Sequence, residues 1–334
     1  MPPTTTRPGK LPTYAQLKQR PGRVSGTAWG VFGDDDELGT LNLLTEERVR
    51  QAASSIREGR RFSLNLALNA FDPPLIAHRA NPEHKIFGLN EFHRDDSLDN
   101  LYLQASTQVD GLRHFGHPDR GFYGGRPGSE ITAETPTLGI QHVAQTGIVG
   151  RGVLLDVAAY REHHGKPIDH DAGEALSVQD LERAAEWQNI VFHDGDILLL
   201  RTGWLTHVRS RRKEAEEQVR SGGLAATEEM AAWLWDHHCS MVAADNIALE
   251  AWPVGETGIE TEAEKSGFLE ANSHTGMLHR ILIPLLGLTI GELWDLDDLA
   301  DACEELRRHD VFITAEPLNL TGGVGSPANV LAIL

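Results

Sequence analysis

From residue 150 onward the sequence alternates between two kinds of apolar run, and few folds accept that alternation. GVLLDVA (152–158), DILLLRTGW (196–204), MVAADN (241–246) and DVFITAEPL (310–318) read as strands, rich in branched aliphatic residues and bounded by polar or turn residues. Between them lie helices with marked starts: Ser177 before VQDLERAAEW, Thr227 before EEMAAWLWDHH, and Asp297 before DLADACEELRRH. Strands interleaved with helices predict an α/β domain on a mixed sheet. Upstream, FSLNLALN (62–69) predicts a further strand. Thr45, followed by Glu46 and Glu47, predicts an N-cap with acids in the first turn of a helix running to Gly59. Residues 1–26, rich in Pro, Gly and basic residues, predict an extended arm with a short helix at Tyr14 to Arg20, leaving 27–334 as one domain. The stretch from 70 to 150 is Gly- and Pro-rich with few periodic segments, the kind of loop region that carries sites on a rigid scaffold.

Composition narrows the function. A formal charge of −19 argues against nucleic acid and anionic membrane surfaces as partners, since both would repel the chain. No apolar run approaches the roughly 20 residues of a membrane helix, and MPPTTTRPGK holds no signal-like hydrophobic stretch. Cys239 and Cys303 are the only cysteines, too few for a disulfide framework or a multi-cysteine zinc site. A cytoplasmic enzyme acting on a small molecule is the expectation.

Four stretches carry chemistry. In QASTQVDGLRHFGH (104–117), Asp110, His114 and His117 stand close together, with Asp110 and His114 at i, i+4; the plain alternative is a surface acid beside a packed histidine. In SHTGMLHRILIPLLGLTIGELW (273–294), His274 and His279 precede an apolar run that Glu292 ends. An acid in so hydrophobic a segment needs a partner or a metal, unless it caps a helix start. In AADNIALEAWP, Asp245 and Asn246 follow a strand, where α/β folds place their sites and where turns also form. The glycines of TGGVGSPANVLAIL could bring backbone amides to a ligand or simply form a turn before a last strand, and the turn is favoured.

Together these segments, with GTAWGVFGDDDELGTLNLLT (26–45), GIVGRGVLLDV and GDILLLRTGW, resemble the cyclase family, the group of bacterial kynurenine formamidase and isatin hydrolase. The family signature H-x-G-T-H-x-D-x-P-x-H falls on Gln104 to His114. Thr107, Asp110 and His114 match it, whereas Gln104, Gln108 and Leu112 replace its two metal-binding histidines and its proline. The resemblance implies an α/β fold with a mixed, barrel-like sheet and surrounding helices, of the swivelling β/β/α type, assembled as a homodimer or homotetramer. It also implies a divalent metal, Mn²⁺ or Zn²⁺, at Asp110, His279 and Glu292, and a proton carrier at His114. Catalytic residues are then His114, Asp110 and Thr107; Trp29, Gln104, Gln108 and His117 face substrate.

The two glutamines alter that set. A neutral amide oxygen is a weak ligand beside imidazole, so Gln104 and Gln108 would favour a harder ion over zinc. The residues leave two forms open. In one, the metal stays and polarises a carbonyl. In the other no metal is bound, Gln104 and Gln108 donate hydrogen bonds to the carbonyl oxygen, and His114 works alone. Either form predicts a hydrolase of a small cyclic or aryl amide, imide or lactone. A biosynthetic cyclase or dehydratase, or a binding protein that has lost its metal, are the alternatives.

Overall fold

The computed structural model describes residues 11–211, 219–255, 259–266 and 274–334, so the first ten residues of the expected arm, and Ser273, lie outside the described residues. The strands, in chain order, are β1 (Arg61–Ser63), β2 (Glu83–Asn90), β3 (His93–Asp99), β4 (Gln108–Asp110), β5 (Ile148–Asp156), β6 (Ala175–Leu176) and β7 (Ile197–Arg201). They continue as β8 (Gly223–Leu224), β9 (Met241–Ala244), β10 (Thr289–Glu292), β11 (Asp310–Ala315), β12 (Gly325–Pro327) and β13 (Val330–Ile333). Nine of them form one curled, half-barrel sheet in the order β1-β13-β11-β5-β7-β9-β10-β4-β12.

The middle of that sheet, β5-β7-β9-β10, is parallel, and its flanks are antiparallel. Parallel strands covered on both faces need apolar residues at every position. β7 and β9 satisfy this, because Ile197, Leu199, Met241 and Ala243 enter one core while Leu198, Leu200, Val242 and Ala244 enter the other. The second core is closed by Leu181 and Ala184 of the helix Val178–Trp187 and by Met230 and Leu234 of the helix Glu228–Asp236. On the opposite face, Leu299, Ala302 and Cys303 of the helix Asp297–Leu306 complete the first.

Most helix starts follow their caps. Thr45 accepts from Arg48, Thr227 accepts from Met230, and Ser177 makes a reciprocal capping box with Asp180. Asp297 does not cap its helix. Leu296 holds that position, and the Asp297 carboxylate binds Arg201 and Thr206 instead. The helix after Thr45 ends at Ala52 and tightens into a 3₁₀ turn at Ala53–Ser55, short of Gly59.

Two further expectations need correction. The strand over 62–69 is confined to Arg61–Ser63, because Asn65 turns its side chain onto Val330 and the chain leaves the sheet. The stretch from 70 to 150 also contains an unforeseen hairpin, β2–β3, whose residues are all exposed. The helix expected at Tyr14 to Arg20 forms over Tyr14–Lys18. Its Tyr14 and Leu17 are buried, and Tyr14 binds Asp236 and Glu228 of the chain's own helix Glu228–Asp236.

His170 is buried, its Nδ1 accepting from the Gly222 amide at 3.1 Å and its ring 4.9 Å from that of His207. Burial, with His207 adding to it, lowers its pKa to about 4. The unfolded chain takes up that proton near 6.5, the fold only near 4, so this residue withdraws stability as pH falls through that window. Replacing it by His170→Asn should make the fall in melting temperature between those two pH values shallower, as followed by circular dichroism.

Candidate active site

One pairing brings the first two chemical stretches together. β4 runs antiparallel to β10 with Gln108 opposite Glu292 and Ile290 opposite Asp110. Residues two apart on a strand share a face, so Gln108, Asp110 and Glu292 point the same way. Gly291, between Ile290 and Glu292, has no room for a side chain: a Cβ would lie 2.6 Å from the Trp294 indole nitrogen and 2.7 Å from Ala243 Cβ. That close approach lets Trp294 Nε1 donate to Gln108 O at 3.0 Å, fixing β4 against β10. Glu292 therefore ends a strand, and its alternative as a helix cap falls away.

The polar contacts at this face form two chains. In one, the Gln104 amide nitrogen donates to Asp110 Oδ1 at 3.0 Å and to His114 Nδ1 at 2.7 Å. In the other, the Gln108 amide nitrogen donates to Glu292 Oε2 at 2.5 Å, Glu292 Oε1 lies 3.2 Å from His279 Nε2, and His279 Nδ1 lies 2.9 Å from Glu250 Oε2. Asp110 and Glu250 are fully buried, and Gln108, His279 and Glu292 nearly so. His114, half-buried, has its Nε2 4.0 Å from Asp110 Oδ1. Phe115 is ringed by imidazoles, with centroids 5.4 Å from His114, 5.6 Å from His274 and 5.2 Å from His279.

Burial and mutual charge set the protonation states. Burial, then Asp110, pushes the Glu292 carboxyl up to about 7, against the opposing pull of His279. For His279 burial disfavours the charge, yet Glu250 and Glu292 outweigh it and hold the imidazole well above its ordinary value. His114 is lowered, chiefly by burial, with Asp110 acting the other way, so it is neutral near pH 7. With Nδ1 accepting from Gln104, neutral His114 carries its proton on Nε2.

Among the remaining residues singled out from the sequence, several have structural duties. Thr107, expected in catalysis, donates its hydroxyl to Leu293 O at 2.6 Å and accepts from the Leu66 amide at 2.8 Å; both capacities are committed to the backbone. Trp29 lies in the core, its indole nitrogen donating to Pro284 O at 2.7 Å, which props the segment after His279. His117 stands outside the converged group, its Nδ1 accepting from the Asp119 amide. Asp245 accepts from the Thr202 and Gly203 amides, and Asn246 binds three carbonyls. The C-terminal glycines build β12 and a close packing: a Cβ on Gly325 would sit 2.8 Å from Val109 O and 3.3 Å from Asp110 Oδ1.

Two residues of the site escaped the sequence reading. Glu250 carried a usable signal, an acid inside the apolar ALEAWP, the same argument that selected Glu292. Arg79 carried none. Its guanidinium donates to Gln104 O and acts electrostatically on both Asp110 and Glu292. The backbone is left-handed at Leu249 (φ 59°) and Leu293 (φ 57°), beside Glu250 and Glu292, a conformation leucine adopts only when its surroundings impose it.

The donors fit a divalent cation. Asp110, His114 and His279 offer ligand atoms all within 4.8 Å of one another. Asp110 Oδ2 and Gln108 Oε1 are buried with no hydrogen-bond partner among the described residues, an arrangement that a bound ligand would satisfy. Glu250 on Nδ1 of His279 leaves Nε2 to the site, as carboxylates behind metal-binding histidines do. The structure thus brings His114 beside the expected Asp110, His279 and Glu292, with its Nδ1 held by Gln104.

Fold and site define an α/β protein with a buried acid–histidine cluster at one edge of a half-barrel. Residues 65–251 match the family model described as "Putative cyclase", and the chain belongs to this cyclase family. A crystal structure described as a novel cyclase is 31% identical, with a TM-score of 0.78 over 92% of this chain and 99% of that one. Isatin hydrolase A of Labrenzia aggregata, solved with benzyl benzoate, gives 16% identity and a TM-score of 0.54, covering 88% of this chain and 98% of its own. Isatin hydrolase A of Ralstonia solanacearum gives 18% and 0.51, covering 84% and 93%. These two share the fold. A search of curated protein sequences gives no match.

The glutamines supply a direct test of the cation site. Restoring imidazoles with Gln104→His and Gln108→His beside Asp110 and Glu292 should raise zinc affinity by at least about tenfold after chelator dialysis. Competition with a chromogenic chelator reads the change.

Proposed function

We propose that the chain is a hydrolase of a small cyclic or aryl amide, imide or lactone, with His114 as its proton carrier. The observation that carries this reading is the Asp110–Gln104–His114 chain, which fixes a neutral imidazole with its proton on Nε2 beside the converged acids. The reaction type is taken from the isatin hydrolases that share the fold, and the roles from this chain's own residues.

Asp110 holds the Gln104 amide, and Gln104 in turn holds the ring of His114 so that its proton is presented from Nε2. The neutral imidazole takes a proton from the attacking water on its Nδ1 lone pair, releasing the Gln104 hydrogen bond, and as imidazolium gives its Nε2 proton to the departing nitrogen or oxygen. A divalent cation at Asp110, His279 and Glu292, with Gln108 Oε1 available beside them, would supply Lewis acidity toward the substrate carbonyl. Glu250 keeps His279 oriented for that duty. Phe115 offers an aromatic wall to a flat substrate.

His114→Ala should lower kcat by roughly 10²–10⁴ while leaving the melting temperature nearly unchanged, since the side chain is only half-buried. The assay is hydrolysis of a panel of aryl amides, cyclic imides and lactones, before and after dialysis against chelator. A variant that loses its stability instead would mark His114 as a packing residue.

Self-association belongs to the same proposal. The hairpin β2–β3 exposes Ile86, Phe87, Leu89 and Phe92, with Phe92 90% exposed at its turn, and a lone two-stranded hairpin is marginal in water. Light scattering on the purified protein should give the mass of a dimer or tetramer.

A further inference from the structure

We infer that β2 pairs edge to edge with β2 of a second copy about a two-fold axis, each copy seating its Phe92 in a hollow at the base of the other's hairpin. The inference rests on the self-association proposed above and names the contact that carries it.

The two edges of the hairpin are not alike. Among the described residues β2 and β3 pair only with each other, so each strand keeps a free edge of backbone amides and carbonyls. β3 reads HRDDSLD, and Arg94, Asp95, Asp96 and Asp99 guard its edge against further pairing. β2 reads EHKIFGLN, with no proline and with Ile86, Phe87 and Leu89 exposed. Its Glu83 and Lys85 offset one another, and Lys85 is held by Asp99 and Glu83 of its own hairpin. In a chain of net charge −19, a nearly neutral apolar strand is where two like-charged copies can meet. A single open edge closes on its own twin about a two-fold and leaves nothing for a third copy to pair with. The joined sheet of both hairpins also relieves the marginal stability of a lone one.

The two ends of the hairpin match as well. Its base holds a surface hollow of about 470 Å³, lined by Leu68, Asn69 and Pro82 together with His84, Asp96 and Leu98 of the strands. Leu68 and Leu98 are exposed in the single chain. Its tip carries Phe92, the most exposed large apolar side chain among the described residues. In an antiparallel pair the tip of one hairpin runs to the base of the other. With Phe87 on the two-fold, Phe92 of each copy comes level with Pro82 of the other, since the two stand equally far from Phe87 along the chain. An aromatic knob and an apolar hollow at opposite ends of one hairpin engage when a second copy lies reversed beside the first. An anionic lipid surface fits less well, because Glu83, Glu91, Asp95, Asp96 and Asp99 would be pressed against it.

Two variants of the full-length protein test the contact. Phe87→Cys should give a covalent dimer under mild oxidant on a non-reducing gel, because strand neighbours across a two-fold lie within disulfide reach. Cys239 and Cys303 are buried and keep the background low. Ser97→Cys, on the guarded strand, should give no such band. Phe92→Asp should raise the dissociation constant of the pair at least about tenfold, read by light scattering over a dilution series. Its circular dichroism should stay unchanged, because the side chain is exposed in the single chain. If the assembly is a tetramer, the same variant should reduce it to dimers. A wild type that is monomeric at every concentration removes the self-association itself, and this contact with it. A wild type that associates while Phe87→Cys forms no cross-link and Phe92→Asp changes nothing overturns this contact alone.

Discussion

The site rests on the pairing of β4 with β10. Three residues of each strand come into register, and that short ladder decides which side chains share a face. A slip by one residue would turn Gln108 and Asp110 into the apolar layer occupied by Val109 and bury them without partners. The pairing is protected accordingly. Trp294 donates across it, Gly291 admits the approach, Thr107 ties Leu293 to Leu66, and β12 covers the other side of β4 through Gly325 opposite Asp110.

Around this ladder the fold concentrates charge that it could not tolerate unpaired. Asp110, Glu250 and Glu292 are all buried, and isolated carboxylates in such surroundings would be strongly destabilising. His279 compensates two of them, one through each ring nitrogen. The amides of Gln104 and Gln108 each serve a carboxylate, and Arg79 adds a more distant positive charge. Removing Glu250 would take away only one hydrogen-bonding partner on paper, yet it would free the ring of His279 and with it the group that balances Glu292. The left-handed leucines beside Glu250 and Glu292 show that the backbone is bent to deliver these acids.

Glutamine at positions 104 and 108 has a consequence for the proton carrier. An imidazole at 104 would present one donor at most to its neighbours when neutral, whereas the amide offers two, and it uses them on Asp110 and His114 together. The tautomer of His114 is thereby set by Gln104. The substitution weakens the ligand set for a soft metal and at the same moment strengthens the definition of the acid–base group.

Local signals in the sequence determined much of this protein. Continuous apolar runs gave the parallel strands, and Thr45, Ser177 and Thr227 gave helix starts, because burial on both faces and amide capping are written into neighbouring residues. Asp110, His114, His279 and Glu292 were legible through spacing, polarity in apolar surroundings and a family signature. What only the tertiary structure decided is who meets whom. Thr107 matched the signature but spends its hydroxyl on backbone, Asp297 left its cap for Arg201, and Trp29 turned inward to Pro284. Glu250 and Arg79 joined the site from segments with no shared pattern. The reason is range: a cap or an apolar stripe is satisfied within a few residues, whereas a buried charge is satisfied by whatever partner the sheet order brings beside it.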